Sequence, residues 1–236
     1  MKYTKINGIN IACFNSINEA SDHILKNGFQ KTAIAINPEK ILLARKSKQV
    51  YAALEEADIC FLDGIGTVFY ARRKLKNNLI CRIPGCDLWE SLMKDSPKHN
   101  KSVFLVGAQN EVLQRTVEKL KLKYNTNIIG SADGYFSDEE SVINQILYHK
   151  PDIVTVALGS PRQEMFIRKC RQHGVEAFMM GVGGTYDVFS GSANRAPKIF
   201  QNSNLEWLYR LISEPARIFR QIRLIQFIFL YIFKKL

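Results

Sequence analysis

The sequence predicts an α/β fold, a mainly parallel sheet with helices on both faces, followed by a C-terminal helical appendage. Three observations carry this expectation. Short apolar runs of strand type alternate with stretches of helical periodicity from residue 9 to about residue 184. The runs are apolar nearly throughout, as strands covered on both faces are. The alternation stops near residue 195, beyond which no strand pattern recurs.

Taken in order, INIACF (9–14) precedes a helix announced by a capping box, Ser16 with Glu19 three residues on. TAIAI (32–36) leads through Asn37-Pro38 into the helical EKILLARKS. ICFLDG (59–64) leads into a helix ending near Lys74. SVFLVG (102–107) leads into NEVLQRTVEKLKLKY, whose apolar residues recur at helical spacing. NIIGSA (127–132) is followed by a helix starting near Ser137, with acidic residues in its first turn as the helix dipole favours. DIVTVALG (152–159) runs into PRQEMFIRKCRQ, with Pro161 near the first turn. AFMMGVGG (177–184) is the last strand candidate. Residues 1–195 are therefore expected to form the α/β core. Residues 196–236 form the appendage, two or three short helices broken at Pro197 and Pro215.

Ligands of such sheets bind beyond the carboxyl ends of the strands. The polar residues that follow each strand are thus the functional candidates: Asn37, Asp63, Gly107, Asp133, Ser160 to Gln163, and Gly183 to Asp187. Asp63 ends its strand beside Gly64-Ile65-Gly66, where a carboxylate can accept a proton from a substrate hydroxyl. From this feature alone, a helix N-cap is the more ordinary use of such an Asp. Gly107 offers backbone N–H groups to a phosphate, or simply makes a turn. Arg162 and Gln163 can meet diphosphate or sugar hydroxyls, or be solvated residues of a capped helix. Of the basic cluster Arg72, Arg73, Lys74, Lys76 and Arg82, the last adjoins an apolar strand-like segment and is best placed to point into a site.

The net charge of +11 draws the chain to polyanions. Seven basic residues against two acidic ones fall in the last 41 residues. There, LIQFIFLYIF (224–233) is closed by Lys234-Lys235. As a helix it would be about 15 Å long, half of a bilayer core, so it can lie in an anionic membrane interface but not cross it. Packing on the core or on another subunit is the competing use of the same run. No nucleic-acid partner is expected, since no helix-turn-helix, zinc-finger or RNA-recognition signature occurs. The five cysteines (Cys13, Cys60, Cys81, Cys86, Cys170) include no CxxC pair and read as reduced core residues of a cytosolic protein. Three of them, Cys13, Cys60 and Cys81, fall in strand-like runs. The N-terminus lacks a signal-peptide pattern. No DxD pair or metal-ligand spacing is present.

Seven blocks, in order, resemble the WecG/TagA/CpsF glycosyltransferases, glycosyltransferase family 26. They are LDGIGTVFYAR (62–72), RIPGCDLWESLM (82–93), VFLVGAQNEVL (103–113), SADGYF (131–136), VALGSPRQE (156–164), MGVGGTYDVFSG (180–191) and RAPKIFQNSNLEWLYRLISEP (195–215). The resemblance implies a Rossmann-like sheet and an inverting, metal-independent transfer that needs no cofactor. It implies Asp63 as catalytic base and Asn37, Arg82 and Gln163 as pocket residues. Arg210, Arg217 and Arg220 would reach over the pocket to a lipid diphosphate. The blocks lean toward the WecG branch. That implies UDP-N-acetyl-D-mannosaminuronic acid as donor and undecaprenyl-diphosphate-linked GlcNAc as acceptor. The setting would be the cytoplasmic face of a bacterial membrane, in enterobacterial common antigen synthesis. TagA-like members use UDP-ManNAc for teichoic acid linkage units and carry a Thr where this chain has Ala35. A homo-oligomer is left open, as is a non-catalytic protein that binds nucleotide or lipid phosphate at a membrane.

Overall fold

The computed structural model describes residues 2–213 together with 226, 227, 229 and 230, with backbone alone at 202, 210, 211 and 213. An N-terminal hairpin opens the fold. β1 (Lys2–Ile6) and β2 (Ile9–Cys13) pair antiparallel, with Ile6 opposite Ile9. The turn between them is Asn7-Gly8, both at positive φ, the backbone a two-residue hairpin requires. This hairpin was not anticipated from the sequence, because KYTKI is half exposed and carries no apolar run.

The remaining elements alternate. α1 (Ile17–Asn27) leads to β3 (Thr32–Ile36), and α2 (Pro38–Lys46) and α3 (Lys48–Glu55) to β4 (Ile59–Leu62). α4 (Ile65–Leu75) and α5 (Gly85–Asp95) precede β5 (Ser102–Gly107). Then come α6 (Asn110–Tyr124), β6 (Asn127–Ala132), α7 (Glu139–His149), β7 (Ile153–Ala157), α8 (Arg162–Gln172) and β8 (Phe178–Gly181). α9 (Thr185–Ser190), α10 (Lys198–Asn202) and α11 (Glu206–Ser213) follow. The expected capping box is present in part. Ser16 Oγ accepts from Glu19 N, and the Glu19 carboxylate accepts from Asn15 N.

The strands form one sheet in the order β1-β2-β4-β3-β8-β7-β5-β6, parallel throughout except for the hairpin. Side chains alternate across it as strand geometry demands. Ala33, Ile59, Phe61, Val103, Leu105 and Met180 face α1, α5, α6 and α9. On the other face, Ile34, Ile36, Cys60 and Leu62 meet α2, α3 and α4. Phe104, Val106, Val154 and Met179 meet α7 and α8 on that same face. The helices after β3 and β4 thus cover one face and the helix after β8 the opposite one. Adjacent strands whose helices leave to opposite faces open a crevice at their carboxyl ends. Such a switch lies between β3 and β8.

Cys13 and Cys60 occupy strands as expected, but Cys81 does not. It lies in the irregular segment 80–84, partly exposed. That segment runs where β2 and β4 diverge: Cys81 N donates to Phe14 O and Ile83 N to Leu62 O. No helix among the described residues is long and apolar enough to cross a membrane. From the apolar run at 224–233, Phe227 is 2% exposed and packs with Leu230 against the cluster under α2, α3 and α4. Phe229 stays 58% exposed.

A hydrogen-bonded chain is buried at the centre of the sheet. Trp89 Nε1–H donates to Thr155 Oγ1, which lies 2.6 Å from the Tyr186 hydroxyl. That hydroxyl donates in turn to the Thr155 carbonyl at 2.8 Å. Tyr186 is fully buried. Tyr186→Phe takes away the acceptor of the Thr155 hydroxyl hydrogen and one donor to the Thr155 carbonyl, and should cost about 1–3 kcal/mol, read as a lower urea midpoint at unchanged m-value. An unchanged midpoint would show that the chain contributes nothing to stability.

Candidate active site

The carboxyl ends of β3 and β4 are drawn together by one acceptor. Asp63 N and Gly64 N both donate to Ile36 O, at 2.9 and 3.2 Å, and Thr67 Oγ1 adds a third contact at 3.3 Å. Gly64 is needed for this approach: a Cβ there would stand 2.6 Å from Pro38 Cδ and 3.0 Å from Asn37 Cβ. Asn37 and Asp63 are consequently neighbours. Gly64, not Asp63, occupies the N-cap of α4, so the capping role open to Asp63 from the sequence is not the one it has. Asn37 does cap α2, its Oδ1 accepting from Lys40 N at 2.8 Å, which leaves its amide N–H₂ as the group to offer a ligand.

Arg82 is carried by the 80–84 segment to the same place. Its Nε–H donates to the Asp63 carbonyl at 2.5 Å, and its Nη2 lies 3.6 Å from Asp63 Oδ1. The same Nη2 lies 2.6 Å from Glu206 Oε2 on α11. Glu206 also accepts from Arg195 Nε at 3.0 Å, and Arg195 forks onto both oxygens of Asp87 on α5. Asp63, Arg82, Glu206, Arg195 and Asp87 therefore form an alternating chain of five charges. Asp87, Arg195 and Glu206 were not among the residues singled out from the sequence. They are separated from Arg82 by up to 124 positions and carry no local pattern.

Burial pushes the Glu206 carboxyl up, but hydrogen bonds from Arg195 and Arg82 outweigh it and hold it below the ordinary glutamate range. For Arg195, burial acts downward, and the bond to Asp87 and its other anionic neighbours raise it overall. Cys86, beside them, is pushed up to about 12 by burial and then by Asp87, so it stays a neutral thiol.

Gln163 lies at the start of α8 and is 4% exposed. Its Oε1 accepts from Gly183 N at 2.9 Å, and its Nε2 lies 3.2 Å from Glu164 Oε1. Lys40 on α2 reaches that same Glu164 oxygen at 2.6 Å, a pair almost wholly removed from water. The chain Lys40–Glu164–Gln163–Gly183 thus bridges the loops after β3, β7 and β8. Gly181 must lack a side chain, since a Cβ would meet Gln163 Nε2 at 2.5 Å. Arg162, a candidate for diphosphate from the sequence, instead donates to Gly134 O at 3.0 Å and lies over the Phe136 ring. Arg72 is likewise occupied, its Nε on Ile80 O. Arg210 is described only as a backbone position on α11, and Arg217 and Arg220 lie outside the described residues.

A cavity of about 400 Å³ opens at the other edge, between β6 and the starts of α6 and α7, lined by Asn110, Gln114, Asp133 and Phe136 among others. β6 stands five places from β4, about 24 Å across the sheet, so this cavity is remote from Asp63. No group of three or more His, Cys, Asp or Glu side chains among the described residues is placed to hold a metal ion.

The five-charge chain has a consequence in acid. A carboxyl whose folded pKa is depressed contributes stability above its unfolded pKa and loses it as pH falls through the folded one. The stability gap between wild type and Glu206→Gln should accordingly be full near neutrality. It should close as pH drops below the ordinary glutamate range, as measured by urea midpoints across pH. A gap independent of pH would mean that the charge of Glu206 is not what the two arginines hold.

The carboxylate at the end of β4, the guanidinium beside it and the glycine-lined loops after β7 and β8 are an arrangement suited to moving a proton next to an anionic leaving group. The family model for the WecG/TagA/CpsF glycosyl transferases matches residues 4–236, nearly the whole chain. The chain belongs to the WecG/TagA/CpsF glycosyl transferase family.

Proposed function

We propose that this glycosyltransferase moves N-acetyl-D-mannosaminuronic acid from its UDP donor to undecaprenyl-diphosphate-linked GlcNAc, with inversion and without a metal. The observation that carries the reading is Asp63, a carboxylate 27% exposed at the end of β4 with Arg82 Nη2 at 3.6 Å. In the proposed reaction a GlcNAc hydroxyl oxygen attacks the anomeric carbon and gives its proton to Asp63. The bond from that carbon to the diphosphate breaks, and UDP leaves with the electron pair. Cations on this side of the sheet offset the developing charge. Arg82 is the described one nearest the base, and Arg210, Arg217 and Arg220 are proposed to reach the acceptor's diphosphate. Asn37 and Gln163 are proposed to contact the donor, Asn37 through its amide and Gln163 by shaping the Gly183 turn.

The uronate donor is favoured by the run of WecG-like blocks and by Ala35. The Ala35 side chain faces the start of α5, where it is the nearest neighbour of a Cβ placed on Gly85, at 3.8 Å. A neutral UDP-ManNAc donor is the second reading. Purified protein assayed with both donors and a lipid-diphosphate-GlcNAc analogue, with EDTA or with magnesium, tests the proposal. UDP-ManNAcA should turn over faster, and EDTA should leave the rate unchanged. Asp63→Asn should lower kcat by about 10²–10⁴-fold with donor affinity retained. Faster use of the neutral donor would move the chain to the TagA-like branch. Near-normal turnover by a folded Asp63→Asn protein would remove Asp63 as the base.

We further propose that the C-terminal segment holds the protein at the anionic cytoplasmic face of the membrane. Deleting residues 224–236 is a poor test, because Phe227 fills the core. Lys234→Gln with Lys235→Gln is cleaner. At about 1 kcal/mol per cation near a charged surface, the pair should weaken partitioning onto anionic vesicles by up to about 30-fold at low salt. Turnover of a short soluble acceptor should be spared. Equal sedimentation of wild type and double variant would refute the role of these two lysines.

A further inference from the structure

Arg82 is shared, and the sharing has a direction. Its Nε is tied to the Asp63 carbonyl at 2.5 Å, which fixes the guanidinium beside the base whatever else it binds. Its Nη2 then has two carboxylates within reach, Asp63 at 3.6 Å and Glu206 at 2.6 Å. The closer one is not the base. Glu206 is 5% exposed and is itself divided, since Arg195 draws on its other oxygen at 3.0 Å while gripping Asp87 with its remaining N–H groups. Among the described residues, Arg82 from segment 80–84 lies against Asp63, and behind it stand Glu206 from α11, Arg195 from the loop after α9, and Asp87 and the neutral thiol of Cys86 from α5.

A carboxylate held against an undivided guanidinium is a poor proton acceptor, because the cation stabilises its ionised form. A general base works best when its proton affinity is matched to the reaction. We infer that Glu206 is a positioning residue that divides the charge of Arg82 and so keeps Asp63 basic enough to accept the acceptor's proton. It acts through Arg82 and touches neither substrate nor reacting atoms. The inference rests on Asp63 being the base. It makes a clasp at the start of α11 part of the catalytic tuning, although Glu206 and Arg82 are 124 residues apart.

The test is a pH profile. Glu206→Gln keeps the shape and a hydrogen-bond acceptor but removes the charge. Arg82, still tethered by Nε, then turns its whole charge on Asp63. The expected result is a kcat lower by about 3- to 10-fold, an unchanged KM for the donor, and an acid limb of kcat moved to lower pH. Glu206→Asp should restore the limb in part. Arg195→Gln should act with the opposite sign, because Glu206 then draws on Arg82 alone, and its acid limb should move to higher pH. Should Glu206→Gln not fold, the Arg195→Gln profile decides by itself. An acid limb that stays in place in folded Glu206→Gln, or an upward move, overturns the inference and leaves Glu206 a structural clasp. Asp63→Asn run beside them separates the two claims. If Asp63→Asn is inactive but the limb does not move, only the role of Glu206 falls. If Asp63→Asn is active, the assignment of the base falls first.

Discussion

The ion pair between Arg82 and Glu206, at 2.6 Å, is the contact on which the site depends. Both side chains are largely withdrawn from water, at 17% and 6% exposure. Removing one partner of such a pair leaves a charge desolvated and unmatched, which is far costlier than the pair itself is worth. That asymmetry explains why the pair does not stand alone. Arg195 and Asp87 extend it until each buried oxygen and N–H group in the chain has an opposite. The result joins four pieces of backbone that share no sheet hydrogen bonds: segment 80–84, α5, the loop after α9 and α11.

The sheet supplies the frame. Because the helices after β3 and β4 lie on one face and the helix after β8 on the other, the loops at these ends splay apart. The polar residues that follow them collect in the opening. Two buried polar chains then hold its walls. The five charges hold the side next to β4. The Lys40–Glu164–Gln163–Gly183 chain holds the side next to β8. Glu164 Oε2 is buried and has no hydrogen-bond partner among the described residues, so this second wall is held by one carboxylate oxygen rather than two.

Much of this was legible in the sequence, for a physical reason. Strands buried on both faces must be apolar along their length, so β3, β4, β5, β7 and β8 stand out as runs, and the residue after each run lies at the carboxyl end of the sheet. Asp63, Asn37, Arg82 and Gln163 were found that way or by their likeness to a family. β1 was missed because its exposed face makes it polar. α5 was missed because it follows no apolar run of strand type: its helix starts directly after Pro84. Pro84 is the N-cap, in extended backbone, and makes no side-chain cap hydrogen bond. Arg195, Asp87 and Glu206 lie inside the blocks of family resemblance but follow no strand run, so nothing local marked them as partners. Each is an ordinary polar residue in its own stretch, and its role exists only once the chain has brought distant segments together.

Three aspartates show what decides between scaffold and chemistry. Asp58 and Asp152 stand just before strands, Asp63 just after one. Asp58 accepts from Thr32 N at 2.8 Å. Asp152 accepts from Ser102 N, from Ser102 Oγ and from Lys101. Burial alone would push the Asp152 carboxyl up, but these bonds outweigh it and hold it low. At that end of the sheet Arg171 also serves backbone, donating to Val175 O and Ala177 O. Carboxylates there close off strand starts and have little left to give. At the opposite end Ile36 O accepts from Asp63 N and Gly64 N, Ile83 N donates to Leu62 O, and Arg82 donates to the Asp63 carbonyl. The Asp63 carboxylate stands beside the Arg82 guanidinium, its Oδ1 3.6 Å from Nη2. The same residue type satisfies backbone N–H groups at the strand starts and, at the carboxyl end of β4, stands against a guanidinium.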